Sequence, residues 1–213
     1  MNKFDGIIFD IDGTLTSTNN LIFASFNHIT KKYLNKSYTW KEIQGLFGPT
    51  ENVIIKDLIK DHYSEAKKDY YDFYSENHNA MANLYSGIHD LIIKLKNNGI
   101  LLSIYTGKGR ESSEITLKET GIFDFFDLVV TGDDIPDHKP SPDGITIFLD
   151  TFGLKKDRII MVGDAPADIK AARNAGIKSA SVLWDSYAKE KVLEMGSDYN
   201  FHSVEDLADF LLK

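Results

Sequence analysis

Two aspartates stand two residues apart where an apolar run ends: Phe4-Asp5-Gly6-Ile7-Ile8-Phe9 leads into Asp10-Ile11-Asp12-Gly13-Thr14. In extended backbone, residues i and i+2 face the same side, so both carboxylates can converge on one point. Like charges crowded there repel unless a cation or a proton sits between them. The layout suits metal-assisted chemistry in which one carboxylate is a nucleophile and the other carries a proton. Asp-x-Asp-Gly at a strand end is also a turn sequence, because Asp and Gly both favour tight turns. The pair alone leaves both readings open.

Three further groups extend the chemistry. Tyr105-Thr106-Gly107-Lys108 follows a second apolar run, where Thr106 offers a hydroxyl and Gly107 lets backbone N–H groups approach an anion. Thr106 reads equally as a helix N-cap. In His138-Lys139-Pro140-Ser141-Pro142 the prolines stiffen the backbone around Lys139, which is either a fixed cation or a solvated surface lysine. Met161-Val162-Gly163-Asp164-Ala165-Pro166-Ala167-Asp168 carries a second acidic pair across a strand-to-helix turn. That pair suits a hard divalent cation, or it serves capping and the helix dipole.

The elements that must position these groups are an alternating series. Strand-like runs lie at Gly6–Phe9, 100–105, Leu128–Val130, 159–162 and 179–183. From the second run onward helices separate them: 90–98 closed by Gly99, about 111–120 closed by Gly121, one opened by Ser141 as N-cap with Pro142 at the first helical position, and 166–175 closed by Gly176. Ser203 caps a terminal helix. Alternating strands and helices imply an α/β fold with a doubly wound parallel sheet. A crossover needs only about a dozen residues, yet roughly ninety separate Asp10 from the second strand. Most of that stretch is helical in pattern, with a capping box at Thr39-Trp40-Lys41-Glu42, flanked by Tyr38 and Ile43, and helices near 52–59 and 63–77. It reads as a small α-helical domain inserted after the first strand, over the strand ends where ligands bind. The expected division is a core of 1–17 and 84–213 with a helical cap of 18–83. The aromatics Tyr70, Tyr71, Phe73, Tyr74, Phe23 and Phe26 are expected in the cap's own core.

Composition narrows the class. Hydrophobic residues at 42% and charged residues at 26% are ordinary for a globular protein with a real core. A net charge of −8 with no basic block argues against nucleic acid, and no apolar run is long enough for a membrane span. The amino terminus lacks the apolar stretch of a signal peptide and the chain has no cysteine, so the expected location is cytoplasmic. A monomer and a homodimer both remain open. Taken together, the acidic pair, the hydroxyl, the lysine and the second acidic pair all fall at carboxyl ends of strands in one sheet. They supply the nucleophile, phosphate cradle, cation and metal site that phosphoryl transfer requires.

In this order the four motifs resemble the haloacid dehalogenase-like hydrolases with a helical cap after the first strand, and the resemblance runs essentially end to end. It implies that Asp10 is a nucleophile forming an aspartyl phosphate and that Asp12 protonates the leaving oxygen and then activates water. It further implies Mg²⁺ on Asp10, the Asp12 carbonyl and Asp164, with Asp168 close by or linked through water. Thr106, Gly107 and Lys139 would hold the phosphoryl oxygens of a small phosphorylated metabolite. An acid at Asp12 points to phosphate esters, because an alkoxide leaving group needs a proton. Sugar phosphomutases of this family place a histidine in the hinge where this chain has Ile22, and His28 is off register. The arrangement is most similar to phosphoglycolate phosphatases and their pyrophosphatase relatives. It departs from them at Leu15-Thr16-Ser17-Thr18 and at Ala165. Leu46-Phe47-Gly48-Pro49-Thr50-Glu51 resembles a cap loop that dips toward the site, where Thr50 either caps the next helix or touches substrate. Lys108 and Arg110 either steer an anion or are exposed cations at a helix start. A signalling receiver domain is disfavoured because the run 128–130 is not followed by an aspartate, and a non-catalytic phosphate-binding module because the four key groups are all retained.

Overall fold

The apolar runs become strands because their side chains alternate between two buried faces. In the computed structural model, which describes residues 2–213, the strands are β1 (Gly6–Phe9), β2 (Leu101–Tyr105), β3 (Leu128–Val130), β4 (Ile159–Gly163), β5 (Lys178–Val182) and β6 (Tyr199–Phe201). They form one six-stranded sheet in the order β3-β2-β1-β4-β5-β6, and every pairing is parallel. The helices are α1 (Asn19–Leu34), α2 (Trp40–Gln44), α3 (Glu51–Leu58), α4 (Tyr63–Met81), α5 (Ile88–Asn97), α6 (Arg110–Glu119), α7 (Asp143–Phe152), α8 (Pro166–Ala175), α9 (Lys189–Met195) and α10 (Val204–Leu212).

The period of two in β1 shows how the layers are built. Ile7 and Phe9 pack with Leu91, Ile92 and Leu95 of α5 and with Leu207 and Leu211 of α10. Ile8, one residue out of phase, packs on the other face with Phe148 of α7 and Ala171 and Ala172 of α8. The sheet is therefore covered on both faces, as a doubly wound fold requires. No helix among the described residues is long and apolar enough to cross a membrane.

Helices α1 to α4 bury a third cluster of their own, including Leu21, Ile29, Ile43, Ile55, Tyr70 and Tyr74. Phe26 meets Tyr70 with ring centroids 4.9 Å apart. The Thr39 capping box forms, with Thr39 N donating to Glu42 Oε2 at 2.7 Å and Glu42 N donating to Thr39 Oγ1 at 3.3 Å. The chain enters and leaves this helical layer through two adjacent segments. Ser17 N donates to Asn83 O at 2.9 Å and Tyr85 N to Leu15 O at 3.0 Å, beside an antiparallel bridge between Thr16 and Leu84.

The structure corrects some of the expected boundaries. α7 begins at Asp143, not Pro142, because Ser141 Oγ accepts from Asp143 N at 3.3 Å and closes a short turn ahead of the helix. Pro142 occupies the N-cap position instead. β6 and α9 were not anticipated from the sequence. β6 is a three-residue edge strand, too short to display a period, and α9 is only seven residues long.

Candidate active site

β1 is flanked by β2 on one side and β4 on the other, so the strand order reverses there, and the crevice of a doubly wound sheet opens at that point. Asp10 follows β1, Thr106 follows β2 and Asp164 follows β4. In register, Phe9 lies opposite both Ile104 and Val162, which brings the three strand ends level. Asp10 N donates to Val162 O at 3.0 Å and Thr106 N to Val130 O at 3.1 Å. Above these ends lies a cavity of about 300 Å³ roofed by the helical layer. Asp10, Asp12, Thr106, Gly107, Lys139, Asp164 and Asp168 all line it.

Its floor is acidic. Asp10, Asp164 and Asp168 are buried, and one carboxylate oxygen from each lies within 4.8 Å of the others. Lys139 Nζ donates to Asp10 Oδ1 at 2.8 Å and to Asp168 Oδ1 at 2.6 Å. Burial works against the Lys139 ammonium, but Asp10 and Asp168 together hold its pKa above the ordinary lysine value. Burial raises the Asp10 carboxyl, and Asp168 adds to the rise against the pull of Lys139. Asp164 is pushed well up, first by burial and then by the charges of Asp10 and Asp168. One lysine among three buried carboxylates leaves negative charge uncompensated. Hard oxygen donors in that state fit a divalent cation.

Local backbone choices make this crowding feasible. Gly13 has φ +79°, and a Cβ there would stand 2.6 Å from Asp164 Oδ2, so only glycine turns the chain that closely. Thr14 Oγ1 donates to Asp164 Oδ1 at 3.4 Å. Asp168 combines both roles read from its sequence position. Its Oδ2 accepts from Ala165 N at 3.0 Å at the start of α8, while Oδ1 faces Lys139. Thr106 does not cap α6, whose N-cap is Gly109; its hydroxyl instead accepts from Lys108 N at 3.3 Å.

Asp12 stands apart from the acidic floor. The Thr18 hydroxyl donates to its Oδ1, and Lys108 Nζ lies 3.4 Å from its Oδ2. Thr50 takes the N-cap position of α3, yet its side chain makes no capping bond. It is buried with its methyl toward Gly132, outside the cavity lining.

Sequence reasoning underrated Lys108 and missed Glu51. Lys108 is not an exposed helix-start cation: its side chain is 1% exposed, and its Nζ lies 3.4 Å from Glu51 Oε1 as well as from Asp12. The signal available was its place two residues after Thr106, but the burial comes from the cap, which local sequence does not reveal. Arg110 is tied up outside the cavity lining, pairing with Asp134 and Glu114. The cap contributes Ile22, Phe26, Phe47, Pro49 and Ile54, which make that wall apolar.

A doubly wound sheet with these motifs at its switch point defines a class, and the comparisons agree. The family model described as "Haloacid dehalogenase-like hydrolase" matches residues 7–182, and the chain belongs to this family. Pyrophosphatase PpaX of Halalkalibacterium halodurans is 33% identical over 209 residues, covering 98% of this chain and 97% of that protein. A crystal structure described as a predicted phosphoglycolate phosphatase from Haemophilus somnus superposes with a TM-score of 0.87 at 23% identity, covering 99% of both chains, and bears on the fold alone. A haloacid dehalogenase-like family hydrolase from Streptococcus pneumoniae has a TM-score of 0.77 at 30% identity, covering 99% of this chain and 100% of that one.

Proposed function

We propose that this chain is a Mg²⁺-dependent phosphatase acting on small phosphomonoesters through an aspartyl phosphate on Asp10. The observation that carries the reading is the placement of Asp10, bonded to Lys139, in the same cavity as Asp12. The Asp10 carboxylate attacks phosphorus as the bond to the ester oxygen breaks, and Asp12 gives its proton to the departing alkoxide. Asp12 then takes a proton from water, which attacks the phosphoryl group and releases inorganic phosphate and free Asp10. Thr106, Gly107 and Lys139 hold the phosphoryl oxygens, Lys139 as a fixed charge between two carboxylates. Asp10, the Asp12 carbonyl, Asp164 and Asp168 would hold Mg²⁺, which when bound supplies positive charge to the phosphoryl oxygens. The cap covers the cavity with an apolar wall that includes Ile22, Phe26, Phe47 and Ile54.

Hydrolysis is preferred over mutase chemistry because Ile22, on the cap wall, has no proton to move. Pyrophosphate hydrolysis is the second reading, favoured by the name of the relatives at about one-third identity. The decisive experiment is phosphate release from a chromogenic aryl phosphate with Mg²⁺. Turnover that disappears with chelator and in Asp10→Asn supports the proposal, and full activity in either case overturns it.

A further inference from the structure

We infer that Glu51 determines specificity: from the cap, it pairs with the cation and takes the backbone and hydroxyl donors that a second anionic group of a substrate would need. The enzyme therefore selects phosphomonoesters whose leaving group is uncharged. This inference rests on the phosphatase reading above and names its substrate class.

Glu51 opens cap helix α3 and reaches across to the start of core helix α6. Its Oε2 accepts from Gly109 N at 2.6 Å, and its Oε1 accepts from Ser112 Oγ at 2.6 Å. The same Oε1 lies 3.4 Å from Lys108 Nζ. The next N–H, that of Arg110, is taken by Asp133 Oδ2 at 2.9 Å. A Cβ on Gly109 would come within 2.8 Å of Glu51 Oε2, so glycine is what allows the carboxylate to seat so closely. A helix start beside a buried lysine is a natural seat for an anion, and here the protein's own carboxylate fills it.

Positive charge in the cavity is then fully committed. Among the described residues the lining holds two lysines. Lys139 is committed to Asp10 and Asp168. Lys108 lies between Asp12 and Glu51, with its Nζ 4.8 Å from the Tyr74 ring centroid. When Asp12 carries the proton it donates, Lys108 and Glu51 still cancel. Two ionisable rings also line the wall, Tyr187 and His138, the latter with its Nδ1 buried close to Gly132. A carboxylate or second phosphate placed here would meet Glu51 without a free cation, in a cavity where like charges are poorly screened. An uncharged alcohol would meet the apolar side chains of Ile22, Phe26, Phe47 and Ile54 instead.

The test compares kcat/KM for a matched pair, 2-hydroxyethyl phosphate and phosphoglycolate, with pyrophosphate as a third substrate. The wild type is expected to favour the uncharged member. Glu51→Gln is expected to shift the ratio toward phosphoglycolate by about tenfold, equivalent to about 1.4 kcal/mol. The shift should disappear when Lys108→Met is added, since no cation is then uncovered. Glu51→Asp, if Glu51→Gln fails to fold, should move the ratio the same way by less. Wild-type preference for phosphoglycolate or pyrophosphate, or an unchanged ratio in the variants, overturns the inference. Absence of turnover with every phosphate ester overturns the phosphatase reading instead. In that event calorimetry on Asp10→Asn still decides the Glu51 inference. Adding Glu51→Gln must tighten phosphonoacetate relative to methylphosphonate by about tenfold, and equal changes for both ligands overturn it.

Discussion

Lys139 Nζ lies 2.8 Å from Asp10 Oδ1, and both side chains are almost wholly buried. The lysine favours the carboxylate form of Asp10 and also keeps Asp10 and Asp168 from repelling each other. Removing it should strand buried negative charge. Lys139→Met is expected to lose activity and to destabilise the fold by about 3–5 kcal/mol, the range found when one partner of a buried pair is deleted. Chemical denaturation with and without Mg²⁺ checks this, and added metal should recover more stability in the variant than in the wild type.

Asp10→Asn keeps the shape of the side chain proposed as nucleophile and removes its charge. Turnover of an aryl phosphate is expected to fall by at least about a thousandfold, because residues acting as a catalytic unit fail together. The variant should remain folded by circular dichroism, since burial already opposes the charged form of Asp10. A rate within tenfold of wild type would exclude Asp10 as nucleophile.

Much of this centre could be read in the sequence, because β1 and its carboxylates depend on a period of two and on adjacency along the chain. The lysine and the second acidic pair were legible for the same reason: each sits immediately before or after a recognisable element. Lys108 was left open between two readings because its environment is assembled from Tyr74 on α4 and Glu51 on α3, both more than 30 positions away in sequence. Thr50 was half legible. Its helix-start position is correct, while its burial toward Gly132 depends on how cap and core meet.

Gly13→Ala should be costly out of proportion to one methyl group. The new Cβ would combine a φ of +79° with a 2.6 Å approach to Asp164 Oδ2. Strain of about 1–3 kcal/mol is expected, together with loss of activity from a displaced Asp164. Thermal unfolding and kcat for the same preparation would show both effects, and an unaffected kcat would argue that Asp164 tolerates displacement.

A pH effect is expected away from the acidic floor. Asp134 accepts from Thr131 N at 2.7 Å and Thr131 Oγ1 at 2.6 Å, and it pairs with Arg110. Burial opposes its charge, but Arg110 and Thr131 bring its pKa below the ordinary 3.8. A carboxyl with a lowered folded-state pKa contributes stability above its unfolded value, and that contribution is lost as pH falls through the folded one. Asp134→Asn should therefore cost about 1–2 kcal/mol at pH 7, and the gap should close as the pH drops below about 4. Urea unfolding of both proteins at the two pH values is the check, and a gap that widened in acid would contradict the assignment.

The helical layer leaves and rejoins the sheet through neighbouring backbone, with Ser17 N and Asn83 O only 2.9 Å apart. A loop of a few residues could span that gap, so the intervening segment is topologically a cassette: it could be shortened, exchanged or transplanted without rethreading a strand. Helical layer and sheet are thereby encoded in separate stretches of the gene, joined in space where Glu51 of one meets Lys108 and Gly109 of the other.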